Sequence, residues 1–333
     1  MEINNIQSFF TQVKNAVQKE KQKPLIVAVM GQTGVGKTSL VNALFGTTLQ
    51  TDAVRPCTTE VQLVVNKGIK GGELWFYDLP GFGEIGKDAD YLFVYKDKLV
   101  EADIVLWAIH ADTRSISFDK ESLDILLKSF NPTEYATILG KITIVLTKAD
   151  LIIPSPWILT ITDKDDCIFV PTKKTTELLQ QKAQYFWESF FTPYKNLIGS
   201  QAPYEGHFSV SFPGFSSNEH YVFYQGMIDQ ILRDYLSTQY PQYTEIFERL
   251  YNHHSVITCS SHFRYNLDLL MLAIIDKIGD GVSFRLGNFL QADQLNRLAL
   301  SEAQHFCNLI VFNQKQKKII FDLSKEIVDH LES

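Results

Sequence analysis

The chain has 333 residues, of which 45% are hydrophobic and 21% charged, so it can bury a substantial core and shows no bias towards disorder. With 31 basic and 38 acidic side chains its net charge is −7, which does not indicate nucleic-acid binding. The N-terminus lacks the pattern of a secretion signal, and no run approaches the 18 or so apolar residues of a membrane span. We therefore expect a cytoplasmic protein without a transmembrane segment.

Hydrophobic periodicity predicts the order of the elements. Residues 1–23 have the spacing of an amphipathic helix, and residues 25–30 form an apolar strand that leads into a glycine-rich turn and a helix. Residues 61–66 and 73–77 are typical of a hairpin, and the later runs ADIVLWAIHA and KITIVLTKAD are typical of buried strands. Strands that alternate with helices predict an α/β fold with a doubly wound, mostly parallel sheet.

The remaining pattern suggests how the chain is divided. We predict a nucleotide-binding domain over residues 24–280, with a helical insertion at about 152–253 and a C-terminal helical segment over 281–333. Within the insertion, residues 175–198 and 227–250 are predicted helices that flank an irregular, aromatic-rich stretch. After the insertion, the strand-like run HSVITCSS precedes a helical stripe over residues 267–278.

A phosphate-binding motif follows the first strand. GQTGVGKT, at residues 31–38, matches GxxxxGK[ST] between a strand and a helix, which disfavours the alternative of a glycine-rich turn with a stray lysine. Lys37 is expected to reach the β and γ phosphates, and the Thr38 hydroxyl to ligate Mg²⁺. The predicted phosphate contacts are Thr33, Gly34, Val35, Gly36, Lys37, Thr38 and Ser39.

Two further segments suit a metal and a γ-phosphate. Asp78 ends a predicted strand in DLPG, where its carboxylate can hold Mg²⁺, and Gly81 can bring its backbone N–H close to the γ-phosphate. In PCTTE, one of two threonines could close over Mg²⁺, and we favour Thr59 because it directly precedes the next strand. An ordinary β-branched entry to that strand is the alternative.

The run TKAD indicates which base is bound. Asp150 can accept hydrogen bonds from the ring N–H and the exocyclic amine of guanine, whereas adenine offers no matching pair of donors. Lys148 can lay its aliphatic stem along the base, after Thr147 at the end of the strand. These residues favour GTP and GDP over the alternative of an ATPase.

Taken together, these residues resemble the guanine-nucleotide-binding domains of the Era, TrmE and septin superfamily. GQTGVGKTSLVNALFG, PCTTE, DLPGFGE and TKAD occur in the family order over residues 24–150. The phosphate loop, and Thr rather than Asn at position 147, are also similar to the immunity-related, interferon-inducible GTPases and their bacterial relatives. The resemblance implies a serine that touches guanine, for which we favour Ser260 and Ser261; Ser211 is the rival.

The resemblance also implies a function. It predicts a Ras-like domain that hydrolyses GTP with Mg²⁺ as a conformational switch, with Lys37, Thr59, Gly81 and Glu84 as the catalytic set. Phe82 stands where Ras-type GTPases carry a glutamine that positions water, so Glu84, the Thr59 backbone or a partner must do so. Activation would then come from a homodimer through this domain or from an unknown protein partner. The alternative is a nucleotide-dependent binding module with negligible hydrolysis.

Overall fold

The computed structural model describes residues 24–49, 61–67, 73–80, 88–114, 116–152, 157–161, 166–204, 206–278, 295–303, 310–313 and 315–322. The helix predicted for residues 1–23 lies outside this part of the chain. In the part that is described, no helix combines the length and apolar character needed to cross a bilayer.

A six-stranded sheet forms the centre of the fold. Its strands in chain order are β1 (Leu25–Gly31), β2 (Gln62–Lys67), β3 (Glu73–Asp78), β4 (Ile104–His110), β5 (Ile142–Thr147) and β11 (Val256–Thr258). They lie in the order β11-β5-β4-β1-β3-β2, and all neighbours are parallel except the β2–β3 hairpin. The predicted doubly wound sheet is confirmed, and the order in which strands are added reverses beside β1, which is where ligands bind in such folds.

Helices cover both faces of this sheet. They are α1 (Lys37–Phe45), α2 (Asp88–Glu101), α3 (Ser117–Lys128), α4 (Tyr135–Lys141), α5 (Lys173–Phe191) and α8 (Leu267–Ile278). One core joins β1 to α1 and α8, and a second joins the opposite face to α2, α3, α4 and α5. Strands buried on both faces explain the continuous apolar runs of β1, β4 and β5.

The segment predicted as a helical insertion contains strands as well as helices. Its elements after β5 are β6 (Trp157–Ile161), β7 (Asp166–Pro171), α5, β8 (Gly199–Pro203), β9 (Phe215–Ser217), β10 (Tyr221–Gln225), α6 (Gln230–Gln239) and α7 (Thr244–Asn252). β6 and β7 form a hairpin, and β8, β10 and β9 form a second antiparallel sheet. The predicted helices are therefore present, but the stretch predicted as irregular and the start of the insertion form strands, because their aromatic and β-branched runs pair.

The prediction of a helical C-terminal segment is also wrong for the residues described there. After β12 (Leu298–Ala299) and one short helix, α9 (Leu300–Ala303), the strands β13 (Ile310–Asn313) and β14 (Lys318–Asp322) pair as an antiparallel hairpin. The Asn313 side chain accepts a hydrogen bond from the Gln316 backbone, and Lys317 has a φ of 50°. This turn chemistry between two β-branched runs outweighs any helical spacing.

Candidate functional site

The phosphate-binding motif forms a tight loop between β1 and α1. A Cβ on Gly31 would lie 2.1 Å from the Ala108 carbonyl oxygen, so a side chain does not fit where β1 passes β4. Gly36 caps α1 with a φ of 93°, which favours glycine. The loop thus turns its backbone around the N-terminus of α1, an arrangement that favours anions.

Lys37 brings a positive charge into this loop. It is the first residue of α1 and only 6% exposed. Its ammonium donates hydrogen bonds to the carbonyl oxygens of Gly31, at 3.2 Å, and Gln32, at 3.1 Å. Thr33 and Gly34 are exposed at the tip of the loop, Val35 is buried, and Ser39 is half-buried one turn into α1. The loop therefore combines a buried cation with an exposed backbone.

The structure joins Thr38 to Asp78, which are far apart in sequence. Strands β1 and β3 are parallel neighbours, so the carboxyl end of β3 comes to lie beside the phosphate loop. There the Thr38 hydroxyl donates to the fully buried Asp78 carboxylate at 2.6 Å. A hydroxyl and a carboxylate oxygen are ligands that Mg²⁺ prefers, so this pair fits the predicted metal.

The TKAD loop is bonded directly to the phosphate loop. Thr147, the last residue of β5, directs its hydroxyl to the Val35 carbonyl oxygen at 2.5 Å. The next residue, Lys148, has a φ of 56° and donates from its ammonium to the Gly34 carbonyl oxygen at 2.7 Å. The extended Lys148 side chain thereby spans the space between the two loops.

Ser260 lies against Asp150. Strand β11 is parallel to β5, and backbone hydrogen bonds continue past both strands, from Cys259 to Leu146 and from Ala149 to Cys259. The Ser260 hydroxyl then donates to Asp150 Oδ1 at 2.5 Å, and Ser261 follows half-buried. The carboxylate of Asp150 is only 8% exposed, and His262 Nδ1 lies 3.8 Å from its other oxygen.

Ser211 lies elsewhere. Its backbone N–H donates to the Tyr240 hydroxyl at 3.2 Å, in an exposed part of the insertion. The structure therefore brings Ser260, and not Ser211, to Asp150. The predicted Thr59, Gly81 and Glu84, as well as Phe82, lie outside the described residues.

Asp119, which the sequence did not single out, forms a hydrogen bond to Gln32 of the phosphate loop. This residue is in the first turn of α3 and only 1% exposed. Its carboxylate accepts hydrogen bonds from the Gln32 amide at 2.7 Å and the Trp107 indole at 3.2 Å. Burial raises the pKa of Asp119 above its ordinary value, although these two hydrogen bonds oppose part of the increase. The available signal was an acidic residue at a helix start, which is more often a solvated cap.

Comparison with known proteins supports this reading of the site. Residues 26–148 match the family model of the 50S ribosome-binding GTPases. YkfA and YfjP of Escherichia coli, both uncharacterized, are 40% and 38% identical over 97 residues, which is 28% of this chain and 33% of each relative. GTPase Era of Aquifex aeolicus is 29% identical over 144 residues, covering 41% of this chain and 45% of Era. The chain thus spans less than half the length of the curated relatives that it matches.

A solved structure of Era from Aquifex aeolicus, bound to GDP and aluminium fluoride, is 19% identical at a TM-score of 0.41. The alignment covers 78% of this chain and 58% of that one. The matched segment is similar to that of a P-loop GTPase, and the fold is a Ras-like G domain with a mostly parallel sheet and flanking helices. The predicted similarity to the immunity-related GTPases stays a prediction.

Proposed function

We propose that this chain binds GTP and GDP with Mg²⁺ and hydrolyses GTP to GDP and phosphate as a conformational switch. The observation that carries this proposal is that Lys37, the Thr38–Asp78 pair and the Asp150–Ser260 pair all lie at one edge of the sheet, beyond the carboxyl ends of β1, β3, β5 and β11. A guanine nucleotide with Mg²⁺ uses all three features: its phosphates suit a cation at a helix N-terminus, its metal suits the hydroxyl and carboxylate, and its base suits the buried Asp150 carboxylate.

At the base, Asp150 provides the selectivity. Guanine presents a ring N–H and an exocyclic amine on one edge, and a carboxylate has an oxygen for each. Ser260 donates to one oxygen of Asp150, which fixes the orientation of the carboxylate. Lys148 links this loop to the phosphate loop, so its stem is available to cover one face of the purine.

At the phosphates, the chain supplies positive charge and backbone donors. Lys37 would neutralise charge on the β and γ phosphates, and the N–H groups at the start of α1 would surround them. Thr38 and Asp78 would hold Mg²⁺, which supplies further charge stabilisation during phosphoryl transfer. Asp119 keeps the loop in place through Gln32.

The attacking water needs a further group. Phe82 cannot orient it, because an aromatic ring has no strong hydrogen-bonding atom. We propose that Glu84, the Thr59 backbone or a residue of a second molecule does so. If the group comes from a second molecule, turnover should be slow in the isolated chain and faster in a homodimer or with a protein partner.

Two measurements test it. Calorimetry on nucleotide-free protein with magnesium should show uptake of GDP and GTP but not of ADP and ATP; absence of any uptake would refute the proposal. Single-turnover hydrolysis of GTP, measured over a range of protein concentrations, should then show a rate that rises with concentration. A rate that stays negligible at every concentration would favour the alternative, a nucleotide-dependent binding module, which Phe82 also suits.

A further inference from the structure

The loop that carries Ser260 closes on itself. Residues 260–265, here called the Ser260 loop, are joined by two backbone hydrogen bonds between Ser260 and Tyr265, at 3.2 and 3.0 Å. The Ser260 hydroxyl accepts from the Phe263 backbone N–H at 3.0 Å while it donates to Asp150. Because one hydroxyl has a single proton, these two contacts fix its direction, and Phe263 determines where that proton points.

The backbone in and directly after this loop adopts positive φ angles that are unfavourable without support from neighbouring structure. Arg264, in the loop, has a φ of 49°, in the left-handed region that residues other than glycine and asparagine seldom adopt, and Asn266, directly after the loop, has a φ of 55°. Asn266 is compensated by a hydrogen bond from its amide to the Thr258 carbonyl oxygen at 2.9 Å. Such a shape persists only where surrounding structure holds it.

The surrounding structure is the inserted hairpin. The Phe263 ring stacks on Phe169 of β7, with centroids 4.0 Å apart and planes 10° apart. Trp157 of β6 meets Phe263 edge-on at 5.3 Å and Tyr265 at 4.9 Å. The two edge-on contacts have the geometry that aromatic pairs favour, and all three contacts join Phe263 and Tyr265 to β6 and β7.

Residues 295–303 connect the same hairpin to the far side of the loop. β12 pairs with β7, and Arg297 forms an ion pair with Asp166 at 3.0 Å. The Asn296 side chain accepts from the backbone N–H groups of Leu267 and Asp268, at 3.1 and 3.3 Å, and so caps α8 directly after the loop. Segments outside the central sheet thus contact the middle of the Ser260 loop, its last residue and the start of α8 directly after it.

We propose that Phe263 is a positioning residue for base selection, and that the paired strands β6 and β7 control the guanine preference of this chain through it. This inference rests on the proposed function, since it assigns the Asp150–Ser260 pair to guanine. It implies that a partner bound to the hairpin, or to residues 295–303, changes guanine affinity without touching the nucleotide.

Inosine diphosphate, which lacks the exocyclic amine of guanine, tests the proposal. We expect the native chain to bind GDP about 10- to 100-fold more tightly than inosine diphosphate, the range for one hydrogen bond to a charged group. In Phe263→Ala, GDP affinity should fall about tenfold while inosine diphosphate affinity falls by about threefold or less, so that the preference for GDP shrinks by a factor of about three or more. Isothermal titration with saturating Mg²⁺ measures both constants.

Two variants serve as controls. Phe263→Tyr keeps the ring and should retain the native preference for GDP over inosine diphosphate. Phe212→Ala removes an aromatic ring that contacts Phe215 of β9, in the other sheet of the insertion, and should leave this preference unchanged. If Phe263→Ala does not fold, the variants Phe263→Leu and Trp157→Phe take its place because each keeps an apolar side chain. Each should show a smaller preference for GDP over inosine diphosphate than the native chain.

The outcomes separate this inference from the function on which it rests. A guanine preference that stays intact in the Phe263 variants, or equal losses for the two nucleotides, would overturn the positioning role alone. No preference for GDP in the native chain would instead overturn the assignment of Asp150 and Ser260 to the base.

Discussion

Replacing Asp150 by Asn changes one buried carboxylate into an amide of the same shape. The side chain is 8% exposed, so water cannot readily replace a lost hydrogen bond. Asn keeps one acceptor but presents an NH₂ group, which opposes one of the two guanine donors. A hydrogen bond to a charged group contributes about 1.5–3 kcal/mol, and the opposed NH₂ group adds a further cost. We therefore expect the binding free energy of GDP to weaken by about 2–4 kcal/mol, which is about 30- to 1,000-fold in affinity.

The same change should favour a different base. Xanthine carries a carbonyl where guanine carries its exocyclic amine, so the new NH₂ group gains an acceptor. Titration of Asp150→Asn with GDP, xanthosine diphosphate and ADP, all with Mg²⁺, should show xanthosine diphosphate bound most tightly. The variant Asp112→Asn, an exposed aspartate after β4, is a matched control and should keep the GDP preference. An Asp150→Asn protein that still prefers GDP would refute the reasoning.

Further predictions concern the serine, the metal and a buried lysine. Ser260→Ala should weaken GDP binding about fivefold, the effect of one ordinary hydrogen bond, and Ser211→Ala should not; the reverse order in a titration would favour Ser211. Chelation of magnesium should weaken GTP binding by the native chain but not by Thr38→Ala, and an equal response of the two to EDTA would argue against Thr38 as a ligand. Burial lowers the pKa of Lys277, in α8, from 10.5 to about 7. Between pH 7 and 10.5 the unfolded chain therefore holds a proton on this lysine that the folded chain lacks. The free energy of unfolding should rise with pH over this range, by up to about 1.4 kcal/mol per pH unit. Urea unfolding from pH 7 to 10 should show this slope, Lys277→Met should flatten it, and equal slopes would contradict it.

The central sheet and the residues at its edge could be predicted because their signals are local. Each apolar run ends at a polar residue, and the carboxyl ends of parallel strands meet at one edge of a sheet. Asp78 ends β3, Asp150 follows the end of β5, and the phosphate loop follows the end of β1. The sequence therefore predicted which side chains would converge without any knowledge of side-chain contacts.

Contacts that span long distances in the chain could not be predicted in this way. Asp119 meets Gln32 across 87 residues, and nothing in the pattern of α3 distinguishes a buried aspartate from a solvated one. The strands of the insertion were missed for a related reason. Their aromatic residues pack against α6 and α7, and the short strand runs carry no regular alternation that would have separated them from an irregular stretch.

Thr147 shows how this chain accommodates a departure from the pattern that it resembles. Asn at this position could join the base loop to neighbouring backbone through an amide, and Thr offers only one hydroxyl. That hydroxyl lies 2.5 Å from the Val35 carbonyl oxygen and 3.1 Å from that of Ile109, and it is buried. The Thr147 hydroxyl therefore joins the base loop to the phosphate loop, and Lys148 adds a second bond at Gly34. Because the two loops are tied at two points, displacement of either should alter binding at both ends of the nucleotide.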